Sequence, residues 1–462
     1  MITVQFTMSQ LRIKNFGPIK NGFTENNGFM EISPVTVICG NQATGKSTIA
    51  KLYSTFTWLE KALQRGDFFR SSVTISKLKN SYFQYLNIGS YFKDDTEIDF
   101  IGELYKFHVS KTEKPIIEKV DNPNYIKPKI EYVPAERNLI SAFPNAEKMQ
   151  GLLRYLFGFL DEFDEARINF PEIRLPIGNF VYKYDKSKHK SFITTAENDF
   201  RIELFEASSG IQSVTPLSAV SQYYSRLVNN EENPARQRFS LEEKKEIEKE
   251  YRKLETLLGV GAISSILGAF MTGGLSLAFS LTGLASVFST VGLYNAVSEK
   301  EPVVEKLTEK QVQILKDAND KILSIIDSRF INIVEEPEQN LYPESQGKVL
   351  YELLECLNSN KDNQLIITTH SPYILSYLTL SAKAAELLSG GVPADKIEKI
   401  VPEKSTVDGN RITIYETKED GSITKLSPYE NLPSDENLLN KAMAEGNENF
   451  SELLDLEQEY CS

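Results

Sequence analysis

Residues 40–47, Gly40-Asn41-Gln42-Ala43-Thr44-Gly45-Lys46-Ser47, form a complete phosphate-binding loop, and their surroundings restrict what this chain can fold into. Before the loop runs Val35-Thr36-Val37-Ile38-Cys39, a β-branched segment that reads as a buried strand. After it, Thr48-Ile49-Ala50-Lys51-Leu52-Tyr53 opens a helical pattern that continues to about Leu63. Strand, glycine loop and helix in this order make a nucleotide site. The glycines let backbone N–H groups close around phosphate oxygens, and the helix N-terminus adds partial positive charge. Lys46 is expected to reach the β- and γ-phosphates and Ser47 to ligate Mg²⁺, with Asn41, Gln42, Ala43, Thr44 and Thr48 lining the phosphates. The expected substrate is a nucleoside triphosphate with Mg²⁺.

The length of 462 residues allows two to four domains. A formal net charge of −13 argues against a generally basic nucleic-acid binder, although a local groove could still be positive. The short basic cluster at 186–190 reads as a solvated hairpin turn. Cys39, Cys356 and Cys461 fall in no paired or metal-ligand spacing, as in a reducing cytosol, and His108, His189 and His370 are too scattered for a zinc cluster. The first thirty residues lack the basic-then-apolar order of a signal peptide, so the expected location is cytoplasmic.

Strands are expected at 9–14, 29–33, 129–133, 178–184, 200–206, 330–335 and 364–369, and helices at 137–165, 213–229 and 345–357. The alternation of strand and helix implies an α/β fold with a parallel sheet covered by helices. Between these parts the composition changes. Residues 240–256 are dense in both charge signs, and 256–298 contain no charged residue. Gly261, Ser265, Ala269 and Gly273 recur every fourth position, as do Ala278, Thr282, Ser286 and Thr290. That spacing makes a flat helical stripe, and the segment reads as a helical hairpin turning near Gly273-Gly274. A tightly packed hairpin or oligomer interface is the plainer reading, while arms of about twenty residues also keep membrane insertion open.

Two further segments complete the expected site. Residues 330–338, "FINIVEEPE", are an apolar strand ending in carboxylates. Glu335 stands where an acid on an adjacent strand would hold the Mg²⁺ hydration shell, and Glu336 where a general base would polarise the attacking water. Residues 365–369 lead into His370, a histidine at a strand tip that can hydrogen-bond a γ-phosphate or the attacking water.

Together, "GNQATGKST", "FINIVEEPEQNLYP" and "LIITTHSPYIL" resemble the ABC-type ATPase heads of the SMC, RecF and OLD group. "IEYVPAERNLIS" (130–141) and "FEASSGIQSVTPL" (205–217) add a likeness to the stand-alone OLD-like ATPases of bacterial anti-phage operons, of the PARIS or Septu kind. The resemblance covers roughly 9–65, 129–229 and 328–435. It implies an SMC-like P-loop ATPase head with a helical insertion between signature and Walker B strand. Residues 1–229 would form an N-terminal lobe and 230–327 the insertion. Residues 328–462 would form a C-terminal lobe with a terminal helix. It also implies that ATP is sandwiched between two protomers, with Ser209, Gly210 and Gln212 as the signature reaching the partner's γ-phosphate. Ile211 stands where that signature has a second glycine, and Glu136 or Arg137 takes the place of the family's glutamine loop.

The expected function is an ATP-hydrolysing sensor or switch, a homodimer or higher oligomer that controls an effector, a nuclease, acting in trans. About ninety residues follow His370 and hold no Asp-x-Asp metal pair, so the chain supplies no nuclease of its own. The alternatives are a RecF- or SMC-like DNA-repair ATPase, and a membrane-inserting, toxin-like protein acting through 256–298.

Overall fold

The P-loop strand lies inside a seven-stranded sheet in the order β2 (Gly22–Phe23), β16 (Ser422–Lys425), β15 (Ile412–Thr417), β4 (Val35–Gly40), β14 (Gln364–Thr369), β13 (Arg329–Glu335) and β8 (Pro128–Val133). The computed structural model describes residues 8–110, 114–143, 148, 151–197, 200–229, 326–430, 432–434 and 436–460, with isolated positions between 243 and 250. β15, β4, β14 and β13 are mutually parallel. Every residue of β4 and β13 is buried, as expected for β-branched strands covered on both faces. The α/β class read from the sequence is the class of the fold.

Two antiparallel sheets accompany it. One has the order β3 (Met30–Glu31), β1 (Gln10–Phe16), β5 (Phe92–Ile101), β6 (Tyr105–Ser110) and β7 (Ile116–Lys119). The other runs β12 (Arg201–Glu203), β11 (Lys190–Thr195), β10 (Phe180–Asp185) and β9 (Glu172–Arg174). The β10–β11 turn at 186–189 is the hairpin expected from its basic cluster. The P-loop helix, Lys46–Arg65, buries Ile49, Leu52, Tyr53, Phe56 and Leu59, with Phe56 stacked on Phe100 of β5 at 5.5 Å between ring centroids. Gly66 ends the helix in the left-handed conformation, its N–H returning to Ala62 and Leu63 carbonyls.

The chain divides into two compact units: 1–123, 130–223 and 331–462 make the first, and 124–129 with 224–330 the second. The two segments read as separate lobes therefore share one unit. The second unit holds an ion pair between Lys127 and Glu243 at 2.6 Å, both side chains buried. The uncharged hairpin at 256–298 and nearly all of the 230–327 insertion lie outside the described residues. Among the described residues, no helix is long and apolar enough to cross a membrane.

The helix expected over 137–165 is two, Asn138–Ala142 and Arg154–Asn169. Gly151 at φ +81° and an extended Leu153 break the path between them. The helix expected at 213–229 starts earlier and spans Ser209–Val228.

Two interior carboxylates set a pH response. Glu60 accepts the Leu104 and Tyr105 N–H groups at 2.7 and 2.8 Å, and Glu352 accepts Ser218 Oγ and Gln222 Nε2 at 2.5 and 2.6 Å. Desolvation pushes both carboxyls up to about 7 from an ordinary 4.5. Between these values the native state holds protons that the unfolded chain has released, so stability falls as pH rises through that window. Denaturant melts should show higher stability near pH 5 than near pH 8, and Glu352→Gln should flatten the difference.

Candidate nucleotide-binding and hydrolysis site

The site forms at the C-terminal ends of β4, β14 and β13. Gly45 caps the P-loop helix at φ +108°, and a Cβ there would meet Ile19 Cγ1 at 2.8 Å, so the turn after β1 presses on the loop and only glycine fits. Thr44 Oγ1 donates to the Asn41 carbonyl at 2.8 Å and lies 2.6 Å from Thr417 Oγ1 of β15. Asn41 Nδ2 donates to Glu419 at 3.1 Å. Lys46 folds over this loop, donating to the Gly40 and Asn41 carbonyls at 2.8 and 2.6 Å. Burial pushes its ammonium down, while Glu336, Glu338 and Glu335 pull it back up. Anionic phosphate oxygens are stronger acceptors than these neutral carbonyls, so a bound triphosphate would compete for the ammonium. Gln42 and Ala43 continue the loop, with Ala43 at φ +62°, and Ser47 and Thr48 stand in the first turn of the helix.

The strand carrying Glu335 is not adjacent to the P-loop strand, as the sequence reading had it. β14, with His370 just past its tip, lies between them. Both pairings are parallel, Val334↔Ile367↔Val37, so the three strands end within two residues of one another. Glu335 is buried and its Oε1 has no hydrogen-bond partner. Desolvation raises its pKa, against Lys51 and the hydroxyls of Tyr132 and Ser47. A lone buried carboxylate oxygen facing a serine hydroxyl fits Mg²⁺, which takes a hydroxyl, a carboxylate, phosphates and water. Among the described residues, no group of three or more His, Cys, Asp or Glu could hold a metal by itself, so the triphosphate would have to supply the remaining ligands.

Glu336 turns out of the strand at φ +45°, a left-handed conformation that costs about 1–2 kcal/mol for a side-chain-bearing residue. Three bonds hold it there. Its N–H donates to Thr368 O at 2.9 Å, its carbonyl accepts Arg137 Nη2 at 2.8 Å, and the neighbouring Glu335 carbonyl accepts Arg137 Nη1 at 2.7 Å. Glu336 Oε1 lies 3.6 Å from His370 Nδ1, which has no hydrogen-bond partner. Glu336 and His370 thus face each other beside the P-loop lysine.

Arg137 is fully buried at 0% exposure, and its Nε also donates to the Ser213 carbonyl at 3.1 Å. Desolvation lowers its pKa to about 10, so it stays charged. It ties the end of β13 to the helix Ser209–Val228. Glu136 is half-buried, its carboxylate accepting Tyr155 OH at 3.1 Å while its buried Oε2 has no hydrogen-bond partner.

Ser209 is exposed at the start of its helix, next to an exposed Ser208. Gly210 is buried, and a Cβ there would meet the Asn340 carbonyl at 2.8 Å. Gln212 is buried, and its Nε2 donates to the Phe205 carbonyl at 2.8 Å. Its amide braces the turn, whereas the two serine hydroxyls face outward.

Sequence reasoning passed over Glu338. Its Oε1 accepts Thr369 Oγ1 at 2.7 Å and the His370 N–H at 2.9 Å, so it fixes the strand tip on which the histidine stands. Glu338→Ala should lower turnover by displacing His370 while leaving ATP affinity within about threefold, a comparison of kcat with KM checking the split. The signal was the spacing Glu-Glu-Pro-Glu, in which Pro337 bends the third carboxylate back toward the sheet. Thr417 and Glu419 had no such signal, because nothing near them in sequence marks the strand beside the P-loop.

The family described as "AAA ATPase domain" matches residues 294–375, a segment that carries Glu335, Glu336, Glu338 and His370. No protein of curated function matches the chain. Among solved structures, the chain is similar to an SMC head bound to the C-terminal winged-helix domain of ScpA, at 10% identity and a TM-score of 0.34 over 91% of this chain and 98% of that one. The family match supports binding of a nucleoside triphosphate and an ATPase activity.

Proposed function

We propose that this chain is an ATP-driven switch whose catalytic site is completed by a second protomer. The observation that supports it is an exposed serine turn that makes no bond to the phosphate loop of its own chain. Lys46, Glu336 and His370 converge at the strand ends. The exposed Ser208-Ser209 turn instead begins a helix tied by Arg137 and Asn332 to β13. A helix N-terminus with two free hydroxyls offers an anion site to another protomer's triphosphate. Lys46 binds the β- and γ-phosphates, and Ser47 and Glu335 would hold Mg²⁺, which would supply charge neutralisation of the phosphates. Glu336 accepts the proton of the attacking water, and His370 steadies the Glu336 carboxylate and the γ-phosphate. Hydrolysis removes the group that both protomers grip, and the pair reopens. The output is control of an effector in trans. The likeness to OLD-like ATPases supports a nuclease effector in anti-phage defence.

Titration with a fluorescent ATP analogue tests the reading. Lys46→Ala should weaken binding at least tenfold, that is by about 1.4 kcal/mol, and abolish phosphate release. Ser209→Arg should keep single-chain ATP affinity and lose hydrolysis and ATP-dependent dimerisation in light scattering. A Ser209→Arg chain that hydrolyses at the normal rate would end the two-protomer reading.

A further inference from the structure

The C-terminal helix, Leu438–Tyr460, exposes its side chains along most of its length. Its base is secured: Leu438 N–H donates to Glu416 of β15 at 2.7 Å, Asn437 Oδ1 accepts the Asn440 N–H at 2.9 Å, and Leu439 is buried. Beyond that base, every described side chain from Lys441 to Tyr460 is exposed. At 1.5 Å per residue the exposed part is about 30 Å long. It is not polar all round. Phe450 (62% exposed), Leu453 and Leu454 stand at i, i+3 and i+4, and Leu456 and Tyr460 (75% exposed) fall on the same half of the helix. An exposed apolar stripe of this length marks an interaction site.

The charges indicate the occupant. Glu445, Glu448, Glu452, Asp455, Glu457 and Glu459 follow Lys441 with no Lys or Arg among them. Glu457 lies seven residues after Phe450, within the apolar stripe, and a groove that covers the stripe must offer it a cation. Pairing with a second copy would set Glu457 against another acidic helix. An anionic bilayer surface attracts basic helices and repels this one. We propose that this helix docks, apolar face inward, into a groove of a different protein lined by aliphatic side chains and rimmed on one side by Lys or Arg, the helix-in-groove mode. The proposal deepens the switch reading, since an effector acting in trans needs such a surface. The anchoring Glu416 lies on β15, the neighbour of the P-loop strand, so a docked partner would be linked to the nucleotide site through one strand.

The test uses the full chain and a labelled synthetic helical peptide with leucines at i, i+3, i+4 and i+7 and lysines along one rim. Fluorescence anisotropy should saturate at one peptide per chain. Phe450→Ser with Leu453→Ser, which leaves the charge unchanged, and separately Glu457→Lys, should each weaken binding at least tenfold without altering ATP affinity. Equal binding of a control peptide with serines for leucines, or equal binding by the variants, overturns the proposal. So does a peptide-free dimer that the serine variant dissociates, which would make a second copy the occupant. Slow hydrogen exchange over 441–460 in the free chain, hastened in the same variant, would assign the stripe to the chain's own body and overturn it too. Lys46→Ala separates the two readings. A chain that binds the peptide in all forms yet never hydrolyses ATP retains the docking surface and loses the switch.

Discussion

Glu336→Gln is expected to lower ATP hydrolysis about 10²–10³-fold while leaving ATP binding intact, because the amide keeps the shape of the carboxylate and loses its basicity. The backbone around it should not move. The Thr368 carbonyl, the Arg137 guanidinium and the left-handed turn hold Glu336 through main-chain atoms that the substitution leaves alone. His370 Nδ1 still has an oxygen to face. Phosphate release measures the loss, and light scattering with ATP and Mg²⁺ measures what accumulates. A dimer that persists for as long as ATP is intact supports the shared site. A monomer at saturating ATP would rule it out, and normal hydrolysis would remove Glu336 from the reaction.

Arg137→Met should have an effect as large, by a different route. The substitution leaves the carbonyls of Glu335, Glu336 and Ser213 without their common donor in a dry interior, and each buried acceptor left unpaired costs about 1–3 kcal/mol. The melting temperature should fall by several degrees, and hydrolysis should fall further than the residual folded fraction explains. Combining it with Glu336→Gln separates the two effects. If Arg137 acts on catalysis by holding the Glu336 turn, the double variant hydrolyses little more slowly than Glu336→Gln alone, a non-additivity expected of residues in one network. Full additivity in rate would reduce Arg137 to a stabilising residue. Arg137→Lys should rescue only in part, because one ammonium cannot span three carbonyls fixed by a planar fork.

Much of the site could be read before the fold was known, because its chemistry is concentrated in short contiguous runs. The P-loop, the acidic strand end and the histidine each sit where a strand stops, and alternation of apolar and helical patterns marks those stops. Three things were not readable. The left-handed turn at Glu336 depends on a buried arginine two hundred residues earlier in the chain, and no local pattern announces a guanidinium spent on carbonyls. Gln212 looked like a residue offered to a neighbour, yet its amide bonds to the Phe205 carbonyl, a choice set by the tightness of the turn. The antiparallel strands of 92–119 and the strand at Ile412–Thr417 do alternate, as Tyr105-Lys106-Phe107-His108-Val109-Ser110 shows, but no functional motif adjoins them to mark their place in the fold.

The order of the large sheet has a consequence for how this protein is made. The P-loop strand emerges first from the ribosome, but its two neighbours are β14 and β15, with Val35 pairing to Leu365 on one side and Ile412 on the other. Contacts so distant in sequence close slowly and late. A nascent chain that already contains the whole phosphate loop therefore lacks both neighbours of its strand, and the loop gains its walls only after residues 364–369 and 412–417 have been made. Cutting the protein after residue 229 to obtain a minimal nucleotide-binding piece should yield an aggregating fragment, since it would expose a bare, fully apolar strand on both edges.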